Sequence, residues 1–398
     1  MCSSRVLFGV FLAVAMSLAG AISVQAQDGG MDLDIIKDLP PAGDGVPGTA
    51  PSADVNPLDR DFATALDAFR ERDYGAARDM WSDLTDAGHG LSMHNLAVLM
   101  WRGQGGPRER DQALELFRNA GQNDVAQSLH ALGVLSLRGA GVPPDPAEAV
   151  RYFEAASSLD HAPSTYNLAL AHLKGIGGAG DKTLGMELMT AAAEGGLARA
   201  QYDLGTLLYN GTYGDVDKDA ARVWFERAAD NGDAFGYYNL ALMQFAGEGG
   251  PADAELAVIN LTEAAEMGAV PAQVKLAHLM ATGEAGVEKD LAGAYVWFTV
   301  AGAFGAENAL LNAKRIAQRL SEGQLKRAKQ AAASFTPKKP PAPEAAADTA
   351  TDAAPDAPVS STWSPPNESM DNTPAAPGAG TYSDKDAKAA EDLLKTLQ

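Results

Sequence analysis

Between residues 58 and 335 the apolar positions recur at helical spacing, and the spacing itself recurs. One leucine returns at Leu96, Leu132, Leu168, Leu204, Leu240 and Leu276, every step being 36 residues. The same step links Gly103, Gly139, Gly175, Gly211, Gly247 and Gly283, and it links Ala120, Ala156, Ala192, Ala228 and Ala264. A bulky slot holds Phe117, Phe153, Met189, Phe225 and Leu261, with Trp297 and Phe298 at its next appearance. A fixed period of this length marks stacked supersecondary units that share one continuous core.

Each slot predicts a piece of local structure. The leucine is followed by a small residue, as in Leu96-Ala97, Leu132-Gly133 and Leu204-Gly205, which lets two antiparallel helices approach closely. The glycine seven residues later ends the first helix, where a left-handed residue is favoured, and second glycines follow at Gly105, Gly141, Gly177 and Gly249. An acidic residue then stands at Asp145, Asp181, Asp217 and Asp253, with Asp290 one position late, as an N-cap for the second helix. Pro146 suits the position after its cap. The aromatic and alanine slots of that helix fill the groove left by the next hairpin.

This period and these residues resemble the Sel1-like repeats, relatives of the tetratricopeptide repeat. The copy Ala200-Gln201-Tyr202-Asp203-Leu204-Gly205, then Tyr209, Gly211, Asp219-Ala220-Ala221, Trp224-Phe225 and Ala228-Ala229, follows that pattern almost throughout. The resemblance covers Ser92 to about Ala303 in six copies. It implies an all-α fold, an α-solenoid in which antiparallel helix hairpins stack into a right-handed superhelix. Ahead of the six, Ala65 to Gly88 reads as a copy with a shortened turn. After them, Ala309 to Ala333 continues as helices with Arg315, Gln318 and Arg319 on an exposed side, as capping elements that an open-ended array needs.

The ends have no such period. Residues 1–26 read as a secretory signal: Arg5, an apolar run from Val6 to about Ile22, and the small-residue site Val24-Gln25-Ala26, with cleavage after Ala26. A membrane anchor is the competing reading, opposed by Gly9, Ser17 and Gly20 within the run. Residues 27–57 form a disordered acidic linker, rich in Gly, Pro and Asp, and residues 336–382 form a disordered Ala and Pro-rich tail. Residues 383–398 carry Ala387, Ala390, Leu393, Leu394 and Leu397 at helical spacing and predict a short amphipathic helix on a tether. The localisation expected is periplasmic or secreted.

The single cysteine, Cys2, lies within the signal, so the mature chain has no thiol chemistry and no disulfide. The net charge of −21 becomes −22 when Arg5 is removed, a field that disfavours nucleic acid and anionic lipid and suits a partner with a basic surface. No His-Glu-x-x-His, Gly-x-Ser-x-Gly, Ser-x-x-Lys or phosphate-loop motif is present in the sequence. The periodic glycines and aspartates are explained by turns and caps, so neither a phosphate cradle nor a calcium site is assigned. The expectation is therefore no enzyme, no cofactor and no metal.

One row remains. His94 and His130 stand two residues before their leucines, and the slot continues as Tyr166, Tyr202 and Tyr238. It reads either as packing or as a recognition stripe for another protein along the concave face. The resemblance extends to exported scaffolds of envelope assembly and to a periplasmic regulator that restrains a sensor kinase, which makes a protein-binding adaptor or regulator the expected function. The alternative is an exported hydrolase, β-lactamase-like or active on peptidoglycan, since some cysteine-rich relatives are so described; this chain lacks their cysteine pairs.

Overall fold

The computed structural model describes residues 56–139 and 143–339. The predicted signal, most of the 27–57 linker, the tail beyond residue 339, the C-terminal helix and Gly141 lie outside the described residues.

Among the described residues there are sixteen α-helices and no strand. They are α1 (Pro57–Arg70), α2 (Tyr74–Asp86), α3 (Gly90–Arg102), α4 (Arg110–Gln122), α5 (Ala126–Arg138), α6 (Pro146–Ser157), α7 (Ala162–Lys174) and α8 (Lys182–Glu194). They continue as α9 (Ala198–Asn210), α10 (Lys218–Asp230), α11 (Ala234–Ala246), α12 (Ala254–Glu266), α13 (Val270–Thr282), α14 (Leu291–Ala303), α15 (Glu307–Ala317) and α16 (Glu322–Ala333). Consecutive helices pair as antiparallel hairpins. Two compact units divide between Ala200 and Gln201, within α9.

The six periodic glycines all adopt the left-handed conformation, with φ between 62° and 80°. Asp145, Asp181, Asp217, Asp253 and Asp290 each cap a helix by accepting a backbone N–H within the first turn, at 2.9 to 3.1 Å. Asp73 does the same for α2, and its short turn replaces the glycine loop of the later copies. In α15 and the residues that follow, Arg315, Gln318 and Arg319 are exposed as the pattern predicts, while Ile316 is fully buried.

In the first unit the bulky slot supplies Phe117, Phe153 and Met189, each with no exposed surface, and Trp81 does so one copy earlier. Burying one such side chain stabilises by roughly 1.5–3 kcal/mol, so the slot is a main source of cohesion. The small residue after the leucine is sterically required: a Cβ added at Gly133 would come within 2.5 Å of the Phe153 ring. In the second unit Phe225, Leu261 and Phe298 fill the slot, and a Cβ at Gly205 would meet the Phe225 ring at 3.0 Å.

The second glycines meet a neighbouring main chain. A Cβ at Gly105 would overlap the carbonyl oxygen of Tyr74, one at Gly177 that of Pro146, and one at Gly249 that of Lys218. Each of those carbonyls belongs to the first residue of the preceding hairpin's second helix. The glycine-rich turn thus seats itself on its neighbour, and this contact fixes one repeat on the next. Arginines secure two of these turns: Arg78 Nη1 donates to the Pro107 carbonyl at 3.0 Å, and Arg222 Nη1 donates to that of Pro251 at 3.2 Å.

Candidate protein-interaction surface

In the row of His94, His130, Tyr166, Tyr202 and Tyr238, the rings of His94, His130 and Tyr202 face the bulky slot of their own hairpins. His94 packs on Phe117 with ring centroids 5.5 Å apart, His130 on Phe153 at 5.7 Å, and Tyr202 on Phe225 at 5.9 Å. His94 and His130 are 0% and 1% exposed and Tyr166 is 6% exposed, which removes all three from any partner-facing surface. The recognition stripe expected over five residues is corrected to that extent: a ring pressed into the hairpin core has no face left for a partner. Tyr202 and Tyr238, in the second unit, are half-buried and border its core clusters.

Burial of the histidines is made tolerable by a serine slot that sequence reasoning missed. Ser92, Ser128 and Ser164 follow the same 36-residue step. His94 Nδ1 lies 2.8 Å from Ser128 Oγ on the next hairpin, and His130 Nδ1 lies 2.9 Å from Ser164 Oγ. His161 Nδ1 is also 2.9 Å from Ser164 Oγ, and its ring sits 5.0 Å from that of His130. One hydroxyl proton serves a single acceptor, so at least one of these two rings carries its own proton on Nδ1. At Tyr166 the histidine is gone, and so is the serine, because Ala200 occupies the partner slot. The signal was readable: the two slots change together.

Desolvation holds these imidazoles neutral. The pKa of His94 is lowered to about 3 by burial, helped by the charges of His161 and Arg102, and that of His130 to about 3 by burial and by His161 and His94. Burial also lowers His161 to about 4.

Near the first helix Asp59 Oδ1, His89 Nε2 and His89 Nδ1, and Ser92 Oγ line up at 3.4 and 2.7 Å. The line has the elements of a hydrolase triad, yet Ser92 is fully buried and its backbone N–H also donates to His89 Nδ1, at 3.3 Å. That hydroxyl is a structural donor for the imidazole with no path to a substrate. No cluster of three or more metal-binding side chains occurs among the described residues.

The turns leading from one hairpin to the next form a shallow open groove in the first unit, lined by His89, Asn123, Asp124, Gln127, Ser158 and Asp160. Its acidic members occupy left-handed backbone, Asp124 at φ 56° and Asp160 at φ 59°. The equivalent positions in other copies are Gly88, Gly196, Gly232 and Gly268, with φ from 82° to 98°. In the second unit Tyr209 Oη donates to Glu248 Oε2 and Lys218 Nζ donates to Glu248 Oε1, both at 2.7 Å. Burial and the Glu248 hydrogen bond push Tyr209 up to about 12. These groups are tied to one another, and the lysine also lies over the tyrosine ring.

The Sel1 repeat model matches residues 90–125, 126–161, 162–197, 198–233, 234–268 and 270–303, together more than half of the chain. The chain is similar in structure to a Sel1 repeat protein from Oxalobacter formigenes, at 22% identity and a TM-score of 0.53, over 60% of this chain and 94% of that one. It is also similar to c5321, a protective antigen of uropathogenic Escherichia coli, at 20% identity and a TM-score of 0.37, over 70% and 76%. Immunity protein Pa5087 from Pseudomonas aeruginosa aligns at 22% identity and a TM-score of 0.37, over 52% and 81%. A comparison with curated protein sequences returns no match. Sel1 repeat proteins generally mediate protein–protein interaction. Six consecutive repeats, each with its glycine turn and a buried bulky side chain, place this chain in the Sel1 repeat family.

Proposed function

We propose that the protein is an exported scaffold or adaptor that acts in the periplasm by binding another protein, such as a sensor kinase or a component of an envelope-assembly complex. The observation that carries this reading is the use of the periodic residues: glycines, aspartates, histidines and bulky side chains are consumed by turns, caps and core, which leaves surface rather than a reaction centre. The first 26 residues support export through their charged start, apolar run and small-residue site. The strongly acidic composition favours a partner with a basic face.

Chemical crosslinking of envelope fractions followed by capture of the full-length protein tests the reading, with Tyr202→Ala/Tyr238→Ala as the comparison. A single predominant partner, reduced in the variant while helical circular dichroism is kept, is the expected result. Recovery of the protein in the cytoplasmic fraction would remove the periplasmic assignment, and turnover of a β-lactam or a muropeptide by the purified protein would overturn the scaffold reading.

A further inference from the structure

After α16 the chain doubles back across the second unit. The Phe335 ring meets Trp297 edge-on at 5.5 Å and Phe304 edge-on at 6.3 Å. Three residues later Lys338 makes two hydrogen bonds. Its N–H donates to the Glu266 carbonyl at 2.8 Å, and its ammonium donates to Glu263 Oε2 at 2.5 Å. Between these anchors Pro337 lies over Gly268, where an added Cβ would stand 3.4 Å from the proline ring. None of these contacts follows the repeat rule, and the ion pair joins residues 75 apart in sequence.

The ledge under this segment is set up for a cation. Glu266 is the last residue of α12, so its carbonyl has no partner inside the helix and stands at the negative end of the helix dipole. An acidic side chain there is unfavourable unless positive charge comes to it, and the last turn of α12 contains no basic residue. The ledge is also apolar at its other end: Phe304 remains 51% exposed with Phe335 against it. The segment itself is lightly held. Residues 336–339 are exposed, and the Lys338 and Glu263 side chains of the ion pair keep 52% and 35% of their surface.

We propose that Trp297, Phe304, Glu263, the Glu266 carbonyl and Gly268 form a binding site for an extended segment of a partner protein, one that carries an aromatic residue and, three residues on, a lysine. Residues 335–338 fill this site in the partner's absence. The assignment rests on the scaffold reading above and gives its partner a chemistry. Charge complementarity supports it, since a chain of net charge −21 places here a cation from its own sequence. The main-chain bond to Glu266 fixes where the bound segment sits, while the two side-chain anchors set the spacing.

The test uses the full chain with Phe335→Ser/Lys338→Ser, which vacates the ledge, and a fluorescent peptide with the sequence of residues 333–340. Fluorescence anisotropy should show the peptide binding this variant at least 10-fold more tightly than the wild type. Adding Glu263→Gln, which preserves shape, should weaken it at least 10-fold, as should Phe→Ser or Lys→Ser in the peptide. Equal binding to wild type and vacated ledge, or indifference to Glu263→Gln, overturns the proposal. The same peptide, added before the crosslinker, should displace the partner that is otherwise captured. A partner that is captured but not displaced refutes the ledge and leaves the scaffold reading standing, whereas capture of no partner refutes both.

Discussion

His94 Nδ1 and Ser128 Oγ, on successive hairpins, stand 2.8 Å apart with both residues fully buried. His130 and Ser164 repeat the relationship one copy later at 2.9 Å. Each bond joins neighbouring repeats through groups that water does not reach, so the loss of one partner is costly to the other.

Removing the serine measures this directly. Ser128→Ala leaves His94 with Nδ1 unpaired, and its Nε2 already has no hydrogen-bond partner among the described residues. We expect a loss of about 1–3 kcal/mol, the desolvation cost of an orphaned buried group. His94→Leu/Ser128→Ala should lose less than the sum of its single changes. A double-mutant cycle in urea that shows simple additivity would contradict the pairing.

The same burial makes the array sensitive to acid. In the unfolded chain these histidines protonate below about pH 6.5, whereas in the fold they resist until about 3 for His94 and His130 and about 4 for His161. The unfolded state binds more protons throughout that window, so stability is full above pH 6.5 and falls as pH decreases toward the folded values. Each fully shifted group contributes about 1.4 kcal/mol per pH unit. Urea midpoints at pH 7.5 and 5.5 should differ clearly, and His94→Gln/His130→Gln should reduce the difference even if the variant is weaker overall. A flat profile would show that the three imidazoles charge freely.

Two glycines with similar backbone should respond differently to alanine. Gly249 has φ 65° and meets the Lys218 main chain, so Gly249→Ala combines strain with a clash and should cost about 2–4 kcal/mol. Gly178 has φ 81° and nothing within 4 Å of an added Cβ, so Gly178→Ala should cost only about 1–2 kcal/mol. Thermal unfolding of the two variants compares them, and equal losses would mean that close approach to the neighbouring turn is unimportant.

Asp160 offers a change in the opposite direction. It occupies left-handed backbone at a position where most copies use glycine. Asp160→Gly should be neutral or stabilising by up to about 1 kcal/mol, since it removes αL strain and adds chain entropy of similar size. A pronounced loss of thermal stability would mean that its carboxylate has a structural role beyond the turn.

The fold was legible because each repeat uses the same few physical devices. Leu96 and its copies, the glycines at Gly103 and its copies, and the capping aspartates read directly as helix face, helix end and helix start. The site was less legible because His94, His130 and Tyr166 are chemically suited to either recognition or packing. Only the depth of the hairpin, set by Phe117, Phe153 and Met189 behind them, decides between the two. Phe335 and Lys338 were invisible for another reason: their contacts cross 31 to 75 residues with no period, and they follow a stretch whose only pattern is that of a capping helix.

The reach of the bonds between hairpins has its own consequence for how the chain acquires structure. Arg78 to Pro107 spans 29 residues, His94 to Ser128 spans 34, and Tyr209 to Glu248 spans 39. Contacts this short keep loop-closure entropy small and nearly constant along the array, so folding speed is governed by one hairpin meeting the next rather than by total length. A chain built in this way can fold from its first hairpin while later ones are still being made, each finished hairpin acting as the template for its successor. Among the described residues, the bond from Lys338 to Glu263 is the last to become available and would then close the sequence of events.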